Sequence, residues 1–164
     1  MIRDRSMGFA LVLVLIFASA AASADETLTV LSPVSYKDGI TVRDAVKAEC
    51  DLLEKVPGYI EEFAKKKNSV KLTPDVSGAK GRVLKVEIAD VGERGGPGAK
   101  SLTITGELRD NGKVIGTITA KRTSMGGPWG FGGVCRSLQR CARTLGKDVA
   151  TWLEEPAMDV KLTN

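Results

Sequence analysis

The chain of 164 residues contains no histidine. That absence excludes Ser-His and Cys-His nucleophile activation and histidine-based metal sites, and it removes the side chain whose ordinary pKa lies nearest neutrality. Cysteine is scarce, at three residues, and three thiols without histidine make a poor zinc set. They also lack the CxxC spacing of thiol oxidoreductases. Asp110-Asn111-Gly112 is three residues of turn and not the alternating Asp/Asn ligand pattern of a calcium loop. The carboxylates that do cluster, Glu49-Asp51-Glu54, Glu61-Glu62 and Glu154-Glu155, fall on the polar sides of helical patterns and read as solvated surface. The chain holds no internal repeat beyond one hairpin and no low-complexity tract. Nothing in it nominates an enzyme, and it implies no cofactor and no metal.

A run of about 20 apolar residues, the length that spans a bilayer, is also missing. The first segment, MIRDRSMGFALVLVLIFASAAASA, instead has a basic start at Arg3 and Arg5, a short apolar run from Phe9 to Phe17, and small residues ending in Ala22-Ser23-Ala24. This is the layout of a secretory signal peptide with an Ala-x-Ala cleavage site. Residues 1–24 are therefore expected to be a signal peptide cleaved after Ala24, and 25–164 a single α+β domain exported to the periplasm. No cysteine lies at the cleavage site, which speaks against lipid attachment and a stable membrane anchor. The formal net charge of +4 is a small excess without the clustered basic stripe of a nucleic-acid binder. Lys65-Lys66-Lys67 reads as the cationic end of a helix, where its dipole favours it.

Periodicity supplies the elements. TLTVLSPV alternates and stops at Pro33, a first strand. TVRDAVKAECDLL and VPGYIEEFAKKKN carry apolar residues at helical spacing. Pro57 suits a first helical turn, so two short helices, or one bent near Lys55, are expected. SVKL at 69–72 is a short strand. RVLKVEIADV sets Leu84, Val86 and Ile88 on one face. In SLTITGELRDNGKVIGTITAKRT, Leu102, Ile104 and Leu108 alternate with Thr103, Thr105 and Glu107. Asp110-Asn111-Gly112 turns the chain, and Val114, Gly116, Ile118 and Ala120 resume the apolar face. Residues 137–153 form an amphipathic stripe of Leu138, Cys141, Ala142, Leu145, Val149 and Trp152. The expected fold is a two-layer α+β sandwich. Its mostly antiparallel sheet has about five strands, in the order β-α-β-β-β-β-α, with the helices on one face.

GGPWGFGGVCRSLQRC, residues 126–141, is the segment most in need of a role. It fails the P-loop pattern and the GxGxxG pattern. The ordinary reading is a connecting loop whose glycines let the chain turn from sheet to helix. Trp129 and Phe131, flanked by glycine, also fit a partner contact. A third reading is an anion site at the helix start, with Gly132 and Gly133 supplying N–H groups and Arg136 and Arg140 counter-charges. In an oxidising compartment one disulfide and one leftover thiol are expected. Cys135 and Cys141 can meet only if Cys135 lies in the loop, because six helical residues separate them by about 240° around the axis. Cys50–Cys135 would tie the first helical region to the start of the last helix and leave Cys141 buried and inert.

TLTVLSPVSYKDG, VKAEC, ITGELRDNGKVIGTITAKRTSMGG and GKDVATWL together resemble a group of small exported proteobacterial proteins that are uncharacterised. More distantly, the element order is similar to the α/β domains of envelope-assembly proteins such as the curli secretion lipoprotein and the amino-terminal domain of TolB. That second resemblance implies an interaction module with an envelope protein partner. The expected function is thus an exported binding or assembly module without catalytic activity, using a sheet edge or the Trp129/Phe131 tip. The alternative is a small-anion carrier at the final helix start.

Overall fold

The computed structural model describes residues 27–93, 98–125 and 133–164. Its elements, in chain order, are β1 (Leu28–Leu31), β2 (Ser35–Tyr36), α1 (Asp44–Glu49), α2 (Leu52–Ala64), β3 (Val70–Thr73), β4 (Arg82–Gly92), β5 (Lys100–Asp110), β6 (Lys113–Ser124), α3 (Gly133–Trp152) and β7 (Val160–Thr163). One sheet runs β3-β1-β4-β5-β6-β7, with β2 paired to β4. The fold is α+β, as expected, but the sheet is larger than the expected five strands, and its pairing differs. Only β4–β5 and β5–β6 are antiparallel; β1–β3, β1–β4, β2–β4 and β6–β7 are parallel. The parallel neighbours β1 and β3 are joined through α1 and α2, and β6 and β7 through α3, as parallel strands require a crossover. The two strands missed in the sequence, β2 and β7, span two and four residues. Runs so short carry almost no alternation to read.

The central hairpin follows the sequence. Asn111 and Gly112 both take positive φ, 46° and 85°, the backbone of a two-residue hairpin turn whose twist matches its strands. Leu102, Ile104 and Leu108 are fully buried, as are Leu84 and Ile88. Two bulges adjust the alternation. One lies between Ile88 and Asp90 and returns Val91 to the buried side three residues after Ile88. The other lies opposite Leu108/Arg109, where Arg109 pairs with Val114 and Leu108 with Gly116. The extra residue, Ile115, packs against the core. Val114, expected on the apolar face, is moved off it by register.

The helices meet with a different break than the sequence suggested. α1 ends at Cys50, Asp51 adopts a left-handed backbone, and α2 begins at Leu52. Pro57 lies in the second turn of α2, not the first. Its missing N–H would have bonded to the Leu53 carbonyl, and that carbonyl instead accepts a hydrogen bond from Val34 N–H at 3.0 Å. The usual cost of a proline inside a helix is thereby reduced by a contact from β1's trailing loop. α3 packs across β5 and β6, and α2 packs along α3 and against β3. α3 begins at Gly133, four residues before the stripe that marks it in the sequence.

Candidate functional site

The structure joins Cys50 to Cys135 across 85 residues of sequence, with the Cα atoms 4.8 Å apart. Cys50 is the C-cap of α1 and Cys135 lies in the first turn of α3. The bond thus fastens the short α1 to the start of the long helix. Cys141, one turn and a half further on, is a free and buried thiol. Burial pushes its pKa up, with nearby Arg140 a smaller opposing influence, and its S–H points at the Lys100 carbonyl 3.6 Å away. Disulfides persist in oxidising compartments, so the staple fits an extracytoplasmic protein. Among the described residues no helix is long and apolar enough to cross a membrane.

Of the residues singled out in the glycine-rich segment, Trp129, Phe131 and Gly132 lie outside the described residues. Gly133 opens α3 with a positive φ of 62°. Arg136 and Arg140 are exposed. The Arg140 guanidinium donates to Ser137 Oγ at 3.2 Å and to the Met125 carbonyl at 3.5 Å, so it is already engaged with its own turn and the end of β6.

Beside this end of the sheet lies a polar cluster that the sequence pattern did not reveal. The Glu93 carboxylate, its side chain only 4% exposed, is gripped by the Arg43 guanidinium through both Nε and Nη2. The bonds from Arg43 hold the Glu93 carboxyl below the ordinary carboxylate range, with the charge of Lys100 adding to the effect. Lys100 itself is 4% exposed and donates to the Gly98 carbonyl. Arg43 stands before α1 and Glu93 after β4, so the pair ties the helix layer to the sheet. A second half-buried pair, Arg122–Asp148 at 2.7 and 3.0 Å, ties β6 to α3.

A concave feature lies elsewhere, on the polar side of the central strands. A groove of about 470 Å³ runs over β4 to β7. Register explains its lining, because residues directly opposite share a face. One row is Glu87, Thr105, Thr119 and Lys161. The next is Lys85, Glu107 and Thr117, extended by Asp159, which is bonded to Thr117 through Oδ1 and N–H at 3.2 and 2.7 Å. One row is acidic on β4 and basic on β7; the other is basic on β4 and acidic beyond β6. The floor between them is the backbone of Val86, Gly106 and Ile118. The polar alternation of β5 and β6 was legible in the sequence. The convergence of Lys85, Glu87, Asp159 and Lys161 on those threonines was not, since it depends on which strands flank the hairpin. Of the groups whose proton affinity is displaced, Arg43, Asp75, Glu93, Arg122 and Cys141 do not line this groove. Tyr36, raised chiefly by burial and then by the charge of Glu54, is next in sequence to the lining residue Ser35.

No family model matches the sequence, and no curated protein matches it. The fold does match solved structures. The chain is similar to an uncharacterized protein (TM-score 0.55, 12% identity, 79% of this chain and 92% of the other). It is also similar to a hypothetical protein from Chlamydia trachomatis (TM-score 0.53, 10% identity, 79% and 96%). A third likeness is to a protein of the DUF330 family from Xanthomonas campestris (TM-score 0.52, 10% identity, 78% and 83%). At such identities the likeness is one of fold, and the first two of these proteins are uncharacterised or hypothetical, which agrees with the resemblance to uncharacterised proteins. The resemblance to the curli secretion lipoprotein and TolB is not shown.

Proposed function

We propose that the chain is a periplasmic binding or envelope-assembly module, exported by a signal peptide cleaved after Ala24, that holds its partner on the open polar face of the sheet without performing chemistry on it. The observation that carries this reading is the groove over β4 to β7, whose two rows contain threonine hydroxyls and carry charge of both signs in opposite senses. Such a surface orients a polar, two-signed ligand such as an extended polypeptide segment. Two of the pairs with a displaced group, Arg43–Glu93 and Arg122–Asp148, hold elements together, which is a structural use of such shifts. The Cys50–Cys135 staple supports the extracytoplasmic side, and the likeness to the curli secretion lipoprotein and the TolB domain is an expectation from element order alone.

A photo-reactive phenylalanine analogue in place of Thr105 tests this in cells, with the same analogue in place of Lys113 at the hairpin end as control. A discrete adduct from position 105 and none from 113 is expected. Identical adducts from both, or none from either, would overturn the groove as the binding face. The Trp129/Phe131 tip is proposed as an auxiliary contact. Equal recovery of the cross-linked partner by a Trp129→Ala, Phe131→Ala double variant would remove it. The alternative, a small-anion carrier at Gly132, Gly133, Arg136 and Arg140, is less well supported. Arg140 is committed to Ser137 and Met125, and the cations of α3 spread along the helix instead of converging on a point.

A further inference from the structure

α3 carries a pattern that its packing does not explain. From Gly133 to Lys147 it contains Arg136, Arg140, Arg143 and Lys147 and no acidic residue. At 3.6 residues per turn these four fall within about 60° of the helix circumference and extend over about 16 Å. All four are exposed. The arrangement works against the helix twice. Like charges at i,i+3 and i,i+4 repel, and cations on the first turns oppose the positive end of the macrodipole, where α3 has no acidic residue to offset them. The neighbouring elements supply little relief. From α2, Glu62 pairs with Arg143 at 2.6 Å. Arg140 reaches only the neutral Ser137 and Met125 oxygens, and no partner faces Arg136 or Lys147 among the described residues. Lys66 of the segment after α2 and Arg143 both lie over the Phe63 ring, at 5.5 and 5.6 Å, so the basic surface continues onto the end of α2. Met125, 74% exposed, stands at the other end beside Arg140.

We infer that this stripe docks the protein on an anionic bilayer surface. A straight row of exposed cations suits a plane of anionic headgroups, and the exposed Met125 and the part-exposed Phe63 ring, each beside cations, suit the boundary between headgroup and acyl chain. A helical acidic peptide would need an apolar groove to seat it, and the four cations of the stripe are instead exposed. Docking by α3 leaves the groove on the opposite, polar side of the sheet open.

The test is flotation of the purified protein with vesicles of phosphatidylcholine alone or with about 30 mol% phosphatidylglycerol. Binding to the anionic vesicles only is expected, and it should be lost at about 0.5 M salt, where exposed charges are screened. An Arg136→Gln, Arg140→Gln, Lys147→Gln variant should partition about a hundredfold more weakly, about fivefold for each charge. Because the substitutions relieve repulsion, its Tm should not fall below that of the wild type, whereas cations with a merely structural role would lower it. A Lys85→Gln, Lys161→Gln variant of the groove should float like the wild type, which separates this proposal from the binding face above. Equal binding to both vesicles, no binding, salt-insensitive binding, undiminished binding by the triple variant, or capture by polyglutamate without vesicle binding would overturn it.

Discussion

Gly146 of α3 lies directly against the backbone of Tyr59 in α2: a Cβ at position 146 would sit 2.7 Å from Tyr59 Cβ and 2.8 Å from its carbonyl carbon. The two helices run in the same direction from the Cys50–Cys135 bond, and at this glycine they approach closely enough that only a hydrogen fits between them. Gly146→Ala should raise intrinsic helix propensity, by about 1 kcal/mol in an exposed helix, yet here it forces backbone apart. Overpacking of this kind costs about 1–3 kcal/mol. The expected net effect is a lower urea midpoint with an unchanged slope, and an unchanged or higher midpoint would show that the helices can part freely.

The staple should matter more than any single packing contact. Closing a loop of 85 residues corresponds to about 4–5 kcal/mol in the chain-entropy model. Reduction, or Cys50→Ala with Cys135→Ala, should therefore remove a large share of the stability of a domain this size. Thiol labelling gives a second reading of the same region. Cys141 should react with a thiol reagent only after unfolding, because it is buried and its pKa is raised. Rapid labelling of the native protein would contradict the described packing.

Acid should act through Glu93. Its folded pKa is depressed by Arg43, so its contribution is complete above the ordinary carboxylate range and is lost as pH falls through the lowered folded value. Stability measured in urea should decline from about pH 5 downward. Glu93→Gln should flatten that decline while lowering stability at neutral pH, since Arg43 then loses its charged partner. A variant whose acid limb matches the wild type would place the pH sensitivity elsewhere.

An indole helps hold the C-terminal edge. Trp152 Nε1 donates to the Ala157 carbonyl at 3.2 Å, and that carbonyl also accepts from Thr117 N–H at 3.1 Å. The turn is thus clamped between α3 and β6 just before β7. Trp152→Phe keeps most of the ring and removes the donor, which should cost about 1 kcal/mol. Hydrogen exchange should then quicken at the β7 amides and leave those of β5 unchanged. Uniform quickening across the sheet would mean that the clamp acts globally.

Local chemistry was enough to read the centre of this protein. The alternation of Leu102, Ile104 and Leu108, the Asn111-Gly112 turn and the stripe of α3 each declare themselves within a few residues, because a strand or helix burying one face must repeat with its own period. The same residues VKLT form both edge strands, β3 and β7, each with its lysine exposed, a common guard against edge-to-edge pairing. Yet only the first is legible as a strand in the sequence. Four residues do not define a strand; a neighbour does. β7 exists because α3 carries the chain back beside β6, and β1 sits between β3 and β4 because the connection from β3 to β4 passes over it. The two bulges that return Val91 and displace Val114, and the row of Glu87, Thr105, Thr119 and Lys161, likewise depend on register between distant segments. Periodicity is set by each segment's own covalent geometry, whereas pairing is chosen by the whole chain's search for a buried face, and the groove belongs to that second kind.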